Sequence, residues 1–329
     1  MKKQIVIIIV LILSSTFLFS ITMLDSDSLS IQEEIKYGTS PFLTDTDNDN
    51  LSDGKEVEIG TNPTNPDTDG DSIEDGKEVY NTKDYPDANP LQKDIYIEID
   101  VVTDEFGKKV YTRQKNQYKV KQSFENAPIK NPDGTTGINL HFKNDYIIKN
   151  ESYLKNNFSI NNYSSIRERH FNNSNKIYYH GVAVSSSVCN NDTCEVSGVS
   201  IQGKGFYYQF YTHKYNREPP ITLMHEIGHQ LGITQLTNPA VDSYKKSPEE
   251  YPSVMNYNYP TGEIHKPYLY PNDKIYQYSN SDWKTINNSL HIYEYRKIRN
   301  VINCIKYCKL SDIQDSIPIL RKFYIKPYI

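Results

Sequence analysis

Long apolar runs are scarce in this sequence of 329 residues, of which 37% are hydrophobic and whose mean hydropathy is −0.67. The single long run lies near the N-terminus, so the chain is not a polytopic membrane protein. The 15 glycines and 17 prolines are close to average usage, which excludes collagen-like and low-complexity architectures. Tryptophan occurs once, but 28 tyrosines supply ample apolar surface for a packed core. The length is sufficient for two domains.

Charge is distributed unevenly along the chain. Residues 23–92 contain 18 acidic residues and 4 lysines, whereas residues 93–329 contain 30 basic and 23 acidic residues. Two chemically different segments therefore meet near residue 93. The mild basic excess of the second segment is spread along it rather than clustered, so nucleic acid is not an expected partner.

The N-terminus has the organisation of an export signal. Lys2 and Lys3 precede the apolar run Ile5–Phe19, as in the charged and apolar regions of a secretory signal. No clear A-x-A cleavage site follows, and extended to Leu24 the run approaches the about 20 residues that span a bilayer. We therefore expect residues 1–25 to be a signal peptide or an N-terminal membrane anchor. The protein would be secreted, or tethered to the outer face of the cell membrane.

Few cysteines are present, and their number suits an exported protein with one or two disulfides. They are Cys189, Cys194, Cys304 and Cys308. Three pairings remain open, and the spacings do not match those of cysteine zinc sites.

The acidic segment contains an internal repeat with an offset of 22 residues. The sequence GTSP at 38–41 aligns with GTNP at 60–63, and DTDND at 45–49 aligns with DTDGD at 67–71. Each copy has acidic residues at positions 1, 3, 5, 9 and 12 of an EF-hand-type calcium loop, and an apolar residue at position 7, where the backbone carbonyl coordinates. Asn50 and Ser72 replace the glycine of position 6, so these are not ordinary EF-hands. The predicted calcium ligands are Asp45, Asp47, Asp49, Leu51, Asp53, Glu56, Asp67, Asp69, Asp71, Ile73, Asp75 and Glu78.

With a G-T-x-P start and a D-x-D-x-D-x-x-x-D-x-x-E body, residues 33–88 resemble bacterial and archaeal thrombospondin type 3 repeats. The resemblance implies a stalk with almost no hydrophobic core, which calcium makes rigid. Carboxylates at this density repel one another without a cation. We expect such repeats over residues 26–92, with two or more structural calcium ions.

Beyond residue 93 the pattern is that of a packed domain with helices and strands. Alternating apolar residues predict strands at 95–101, 138–142 and 177–184. Helices are predicted at 113–126 and 281–308.

The most informative segment is PPITLMHEIGHQLG at 219–232. Proline suits the first turn of a helix, and Gly232 suits its end. His225 and His229 are four residues apart, so both rings project from one helix face and can bind a single zinc ion. Glu226 is placed to act as general base beside that ion.

The segment HEIGHQLGITQ, together with SVMNY at 253–257, resembles the zinc motif and Met-turn of the metzincin metalloproteases. The resemblance implies an α+β domain over residues 93–329, with a twisted mixed sheet, a zinc-binding helix and a Met-turn. By position, His225 and His229 would be zinc ligands, Glu226 the general base and Tyr257 a phenol that steadies the oxyanion. Gly232 would be the turn after the helix, and Met255 the floor of the site.

The third zinc ligand departs from the family pattern. Its position falls on Gln235, whose neutral amide oxygen is a weaker ligand than imidazole or carboxylate. Asp242 could replace it if the loop 233–252 folds back. Glu249 and Glu250 lie at the separation used by gluzincins, although the Met-turn argues against that class.

These patterns predict an exported metalloendopeptidase that hydrolyses polypeptides with one zinc ion, using Glu226 as general base. The alternative is an inactive protease-like domain on a calcium-binding stalk, serving as a surface adhesion or structural module. The retention of Glu226 and Tyr257 favours the enzyme. Substrate preference and oligomeric state do not follow from the sequence.

Overall fold

The computed structural model describes residues 25–103, 110–149, 158–173, 178–184, 198–201, 203–209, 219–258 and 277–290. These residues form two compact units, one built from residues 25–94 with 131–135 and the other from the remaining ones. The N-terminal apolar segment and the four cysteines lie outside the described residues. Within the described part of the chain, no helix has the length and apolar character needed to cross a membrane.

The first unit consists of acidic loops that alternate with three short helices. These are α1 (Ile31–Tyr37), α2 (Asp53–Ile59) and α3 (Asp75–Tyr80). Ser30 and Ser52 cap the N-termini of α1 and α2, and left-handed glycines end both helices, so the serine and glycine positions set the helix bounds. Leu51 and Ile73 are fully buried although the loops around them are acidic.

The second unit is built on a five-stranded mixed sheet. Its strands are β1 (Asp94–Thr103), β2 (Asn139–Lys149), β3 (Tyr178–Val184), β4 (Gly198–Ile201) and β5 (Gly205–Gln209). Their order across the sheet is β2-β1-β3-β5-β4. Strand β3 runs parallel to β1 and to β5, whereas the edge strand β4 is antiparallel to β5.

Helices cover both faces of this sheet. They are α4 (Val110–Glu125), α5 (Ile160–His170), α6 (Pro219–Gln230) and α7 (Asn280–Leu290). Residues of α4, α6 and α7 share one core with Ile95, Ile97, Ile99 and Val101 of β1. Residues of α5 form a second core with β3 and β5 on the opposite face. The predicted α+β class with a mixed sheet is confirmed.

The alternation in β1 does not mean that one face of the strand meets solvent. Glu98 and Asp100 are buried because they lie on the same face of β1 as Val102, which packs in the core formed with α5. Asn173 donates to Glu98, and Asp100 pairs with His180 at 3.1 Å. These buried polar partners satisfy both carboxylates.

The predicted elements correspond closely to the observed ones. The strands predicted at 95–101, 138–142 and 177–184 correspond to β1, β2 and β3, although β2 extends to Lys149. The helix predicted at 113–126 is α4. The helix predicted at 281–308 is observed as α7 up to Leu290, and the rest of that range lies outside the described residues.

Candidate metal centres

Helix α6 carries the two histidines of the HEIGH motif on one face. Both lie in its last two turns, and Gly232 follows the helix with a positive φ of 92°. This left-handed glycine turns the chain, so that the N–H of Ile233 donates to the carbonyl of Gly228. His225 is 3% exposed, and His229 is half-buried.

Backbone carbonyls fix the orientation of both imidazole rings. Nδ1 of His225 lies 2.9 Å from the carbonyl oxygen of Val254, and Nδ1 of His229 lies 2.9 Å from that of Ile233. Because a carbonyl oxygen only accepts, Nδ1 is the protonated nitrogen of each ring. The Nε2 atoms of the neutral rings therefore present lone pairs, and they lie 3.1 Å apart.

A carboxylate completes the group. Oδ1 of Asp242 is 3.0 Å from Nε2 of His225 and 3.3 Å from Nε2 of His229. Asp242 has a φ of 52°, and its N–H donates to the carbonyl of Met255 at 3.1 Å. The loop after α6 thus returns to the histidines.

The candidates for the third position differ in where the structure places them. Gln235 lies in an exposed turn after α6, whereas Asp242, the alternative from the same loop, lies beside both histidines. Gly232 redirects the chain, but the return takes ten residues rather than three. Glu249 and Glu250 are exposed and do not belong to the group.

The two Nε2 atoms and Oδ1 of Asp242 form a set of ligand atoms that fits a zinc ion. Three acceptor atoms face one another at 3.0–3.3 Å, and Oδ1 of Asp242 has no hydrogen-bond donor when both rings are neutral. Ligand atoms on a tetrahedral zinc ion, with zinc–ligand bonds of about 2.0–2.1 Å, lie about 3.3 Å apart. Two imidazoles and one carboxylate are also a known catalytic zinc set, which leaves a fourth position open.

The protonation of the group without metal reflects the same geometry. Burial lowers the pKa of His229, but the hydrogen bond to Asp242 and the charges of Glu226 and Asp242 outweigh it and raise the pKa to about 9. Burial raises the pKa of Asp242, but the hydrogen bonds from His225 and His229 bring it well below its usual range. A proton therefore holds the group together when no cation does.

Met255 lies beneath the histidine helix. A Cβ added to Gly228 would be 2.7 Å from Sδ of Met255, so this helical glycine allows the sulfur to approach the backbone. The N–H of Tyr257 donates to Ser243 at 3.2 Å, and its ring stacks on His225 with centroids 5.9 Å apart. The structure thus brings Met255 and Tyr257 to the histidine pair.

Glu226 is 5% exposed and lies against the edge strand of the sheet. A Cβ added to Gly198 in β4 would be 2.5 Å from Oε1 of Glu226. The backbone of β4 therefore passes directly beside this carboxylate. A side chain at position 198 would require the Glu226 side chain to move.

Gln230 is a site residue that the sequence did not indicate. Its Nε2 donates to Oγ of Ser200, to the carbonyl of Ile201 at 3.2 Å and to that of Gly205 at 3.0 Å. These acceptors lie on β4 and at the start of β5. Gln230 therefore joins the histidine helix to the edge strand, and only its position next to His229 could have pointed to it.

The acidic loops of the first unit use their carboxylates in two ways. Asp45 accepts the N–H groups of Asn48 and Asn50, and Asp53 accepts the N–H and hydroxyl of Thr46. The second loop repeats these bonds with Asp67 and Asp75. Positions 1 and 9 therefore stabilise the loop itself. Asn50 and Ser72 adopt φ values of 76° and 79°, the left-handed backbone that position 6 requires.

Positions 3 and 12 carry oxygens without hydrogen-bond partners. These are both oxygens of Asp47 and Glu78, Oε2 of Glu56 and Oδ2 of Asp69. Glu56 and Glu78 are buried, and burial together with neighbouring carboxylates raises the pKa of Glu56 to about 9. Buried carboxylates without donors are the environment that an oxygen-binding cation satisfies.

Asp94 belongs to the carboxylate group of the second acidic loop, and the sequence did not predict this. Its carboxylate lies near those of Asp71 and Glu78, and its N–H donates to Oδ2 of Asp71 at 2.6 Å. Asp94 is the first residue of β1 and 16 residues beyond Glu78. No local spacing rule connects it to the loop.

Comparison with known proteins finds one family match within the acidic segment and distant structural neighbours. A search of curated proteins finds no match. Archaemetzincin from Methanopyrus kandleri matches at 8% identity with a TM-score of 0.36, over 59% of this chain and 96% of that one. Metalloproteinase-II from Bacteroides fragilis matches at 13% identity with a TM-score of 0.34, over 64% of this chain and 60% of that one. Residues 45–66 match the bacterial TSP3 repeat.

Proposed function

We propose that the second unit is a zinc metalloendopeptidase. The observation that supports this most directly is the convergence of Nε2 of His225, Nε2 of His229 and Oδ1 of Asp242, at 3.0–3.3 Å, with no proton to share when both rings are neutral. These three residues would hold the ion. When bound, zinc supplies Lewis acidity, which polarises a carbonyl and lowers the pKa of a water molecule to about 7.

The residues around the ligands support hydrolysis. Glu226 is adjacent to His225 in the helix, and its charge helps to raise the pKa of His229. A carboxylate at this position takes a proton from the attacking water and later delivers it to the leaving amine. Tyr257, stacked on His225, would donate a hydrogen bond from its phenol to the oxyanion.

The edge strand supports a polypeptide substrate. Strand β4 is at the end of the sheet, and its Gly198 lies against Glu226. An extended peptide that pairs with the edge of β4 that the described strands leave open would pass beside this carboxylate. Because Gln230 holds β4 to the helix, the distance between the bound peptide and Glu226 would be fixed.

The argument for an inactive module is weaker with this geometry. That alternative drew on Gln235 as a poor ligand, whereas Asp242 would supply a charged ligand. Export and a surface location are part of the proposal and rest on the charged and apolar N-terminal sequence and on the TSP3 repeat. Calcium in the repeats would be structural.

The test compares wild type with Glu226→Gln on unfolded casein, both loaded with zinc and calcium. We expect the variant to keep its zinc and to lose about 10²–10⁴-fold in turnover, the usual contribution of a general base. Wild-type turnover by Glu226→Gln would refute the assignment. A zinc-loaded wild type that cleaves no polypeptide would leave the non-catalytic module as the better account.

A further inference from the structure

The segment before the matched repeat carries part of the same pattern. At the offset of 22 residues, Asp25, Asp27, Leu29 and Glu34 align with positions 3, 5, 7 and 12 of the loop at 45–56. The sequence has Met23 and Ile31 at positions 1 and 9. Two of the five acidic positions are thus lost, which hides this copy from a comparison of sequences.

The backbone around Ser28 has the geometry of the other two loops. Its φ of 81° at position 6 compares with 76° for Asn50 and 79° for Ser72. The N–H of Leu29 donates to Oδ1 of Asp27 at 2.9 Å, as the N–H of Leu51 does to Asp49 at 2.7 Å. The loop at residues 25–34 is therefore a structural copy of the two acidic loops that follow it.

The loop at residues 25–34 also packs on the following helix as the loop at 45–56 does. A Cβ on Gly54 would be 1.9 Å from the carbonyl oxygen of Asp27, and one on Gly76 would be 2.4 Å from that of Asp49. In both cases a loop lies against the glycine of the next helix. The segment at 25–34 is thus integrated into the first unit in the same way as the matched repeat.

The acidic positions that are missing are those that the other loops use for internal bonds. Asp45 and Asp53 accept N–H and hydroxyl groups of their own loop, whereas Asp47 and Glu56 have oxygens without partners. Asp25 and Glu34 correspond to the second pair. The loop at residues 25–34 therefore has the carboxylates suited to a cation and lacks those used for internal bonds.

Buried carboxylate oxygens without partners point independently to a ligand. Asp27 is 6% exposed, and its Oδ2 has no hydrogen-bond partner. Oδ2 of Asp25 is also enclosed and without a partner. Glu34 is 1% exposed, and carboxylate oxygens of these three residues lie within 4.8 Å of one another. Three carboxylates enclosed together are strongly unfavourable unless protons or a cation neutralise them.

We propose that Asp25, Asp27 and Glu34 hold a third divalent cation, Ca²⁺, in addition to those of the two sequence-evident loops. The ligands are oxygens only, and an irregular set of carboxylates in a loop suits Ca²⁺ better than Mg²⁺, which demands near-ideal octahedral geometry. The ion would fix the loop against Gly54 of α2. This site is independent of the proposed peptidase activity, because it lies wholly in the first unit.

The experiment counts calcium ions bound to the zinc-loaded full chain by equilibrium dialysis. The variant Asp27→Asn/Glu34→Gln should bind one calcium fewer per chain than wild type. Asp49→Asn/Glu56→Gln, with the same changes in the matched repeat, serves as the positive control and should also lose one. Glu58→Gln changes a side chain that is 70% exposed and should lose none. An unchanged count for Asp27→Asn/Glu34→Gln would overturn the proposal.

A variant that loses every calcium ion would have lost the fold of the first unit. In that case Asp25→Asn decides, because this residue is only half-buried. It should weaken one ion by at least about tenfold and leave the others unchanged, and wild-type affinity for all ions would overturn the site. Displacement of that ion by Mg²⁺ at equal concentration would overturn the choice of calcium. Zinc content should stay at the wild-type level in every variant.

Discussion

The N–H of Asp242 donates to the carbonyl of Met255 at 3.1 Å, which ties the third member of the histidine group to the turn at residues 253–257. The preceding carbonyl, that of Val254, holds Nδ1 of His225. One turn therefore positions two of the three donors. The position of the aspartate depends on this contact as much as on the path of the loop after Gly232.

The first prediction concerns the third zinc ligand. Asp242→Asn keeps the size of the side chain and tolerates the φ of 52°, but it removes the charge. We expect zinc affinity to fall more than about 100-fold, since even partners that only orient a ligand contribute about 10–100-fold. Competition with a zinc-binding dye measures this. Gln235→Ala is the control and should stay within about twofold; the reverse result for the two variants would restore Gln235 as the ligand.

The second prediction concerns the packing of Met255. Gly228→Ala places a methyl group 2.7 Å from Sδ of Met255 and 3.0 Å from Cε1 of Tyr278, and should cost about 1–3 kcal/mol of unfolding free energy. Removing the sulfur with Met255→Ala should make Gly228→Ala less destabilising. The double variant should therefore lose less unfolding free energy than the sum of the losses in the two single variants. Urea unfolding can be followed by the fluorescence of Trp283, which packs on Tyr278. Strictly additive effects would contradict this contact.

The third prediction concerns Gln230. Gln230→Leu removes the donor to the carbonyls of Ile201 and Gly205, and each buried acceptor left without a partner costs about 1–3 kcal/mol. If β4 carries the substrate, KM should rise about tenfold or more, while zinc content stays unchanged. Steady-state kinetics that separate KM from kcat provide the measurement. A lower kcat at constant KM would mean that Gln230 does not position the substrate strand.

Sequence patterns were sufficient where the controlling interactions are local. The histidine helix α6 follows from a four-residue spacing and a glycine end, and β1 follows from alternation over a few residues. The left-handed backbone at Asn50 and Ser72 also agrees with the loop pattern, although neither residue is glycine.

The residues that the sequence did not settle are positioned by contacts between distant segments. Asp242 was one of four candidate ligands, because the path of a loop with several turns does not follow from spacing. The N–H of Asp94 donates to the carboxylate of Asp71, 23 residues earlier in the sequence, and Gln230 donates to Ser200 of β4, 30 residues earlier. Such contacts depend on tertiary packing rather than on local periodicity.

The fourth prediction concerns pH and calcium in the first unit. Burial raises the pKa of Asp69 to about 8 and that of Glu56 to about 9, with neighbouring carboxylates adding to the effect. Both values exceed those of the unfolded chain, about 3.9 for Asp and 4.3 for Glu, so the calcium-free folded unit retains protons that the unfolded chain releases. The stability that these groups contribute is fully present below about pH 4, and it is lost as the pH rises through about 8–9.

Calcium should reverse this dependence, because the ion takes the place of the protons and binds more tightly as they leave. Hydrogen exchange of residues 31–80, corrected for intrinsic rates, would measure stability at about pH 5 and about pH 8 in zinc-free protein. Without calcium, protection should be lower at the higher pH; with saturating calcium, it should be at least as high there as at the lower pH. Glu56→Gln has no proton to lose at this position, so its calcium-free protection should change less with pH than that of wild type. Calcium-free protection that rises with pH would mean that these carboxylates are already ionised in the folded unit, and that solvent or lysine side chains, rather than a cation, offset their repulsion.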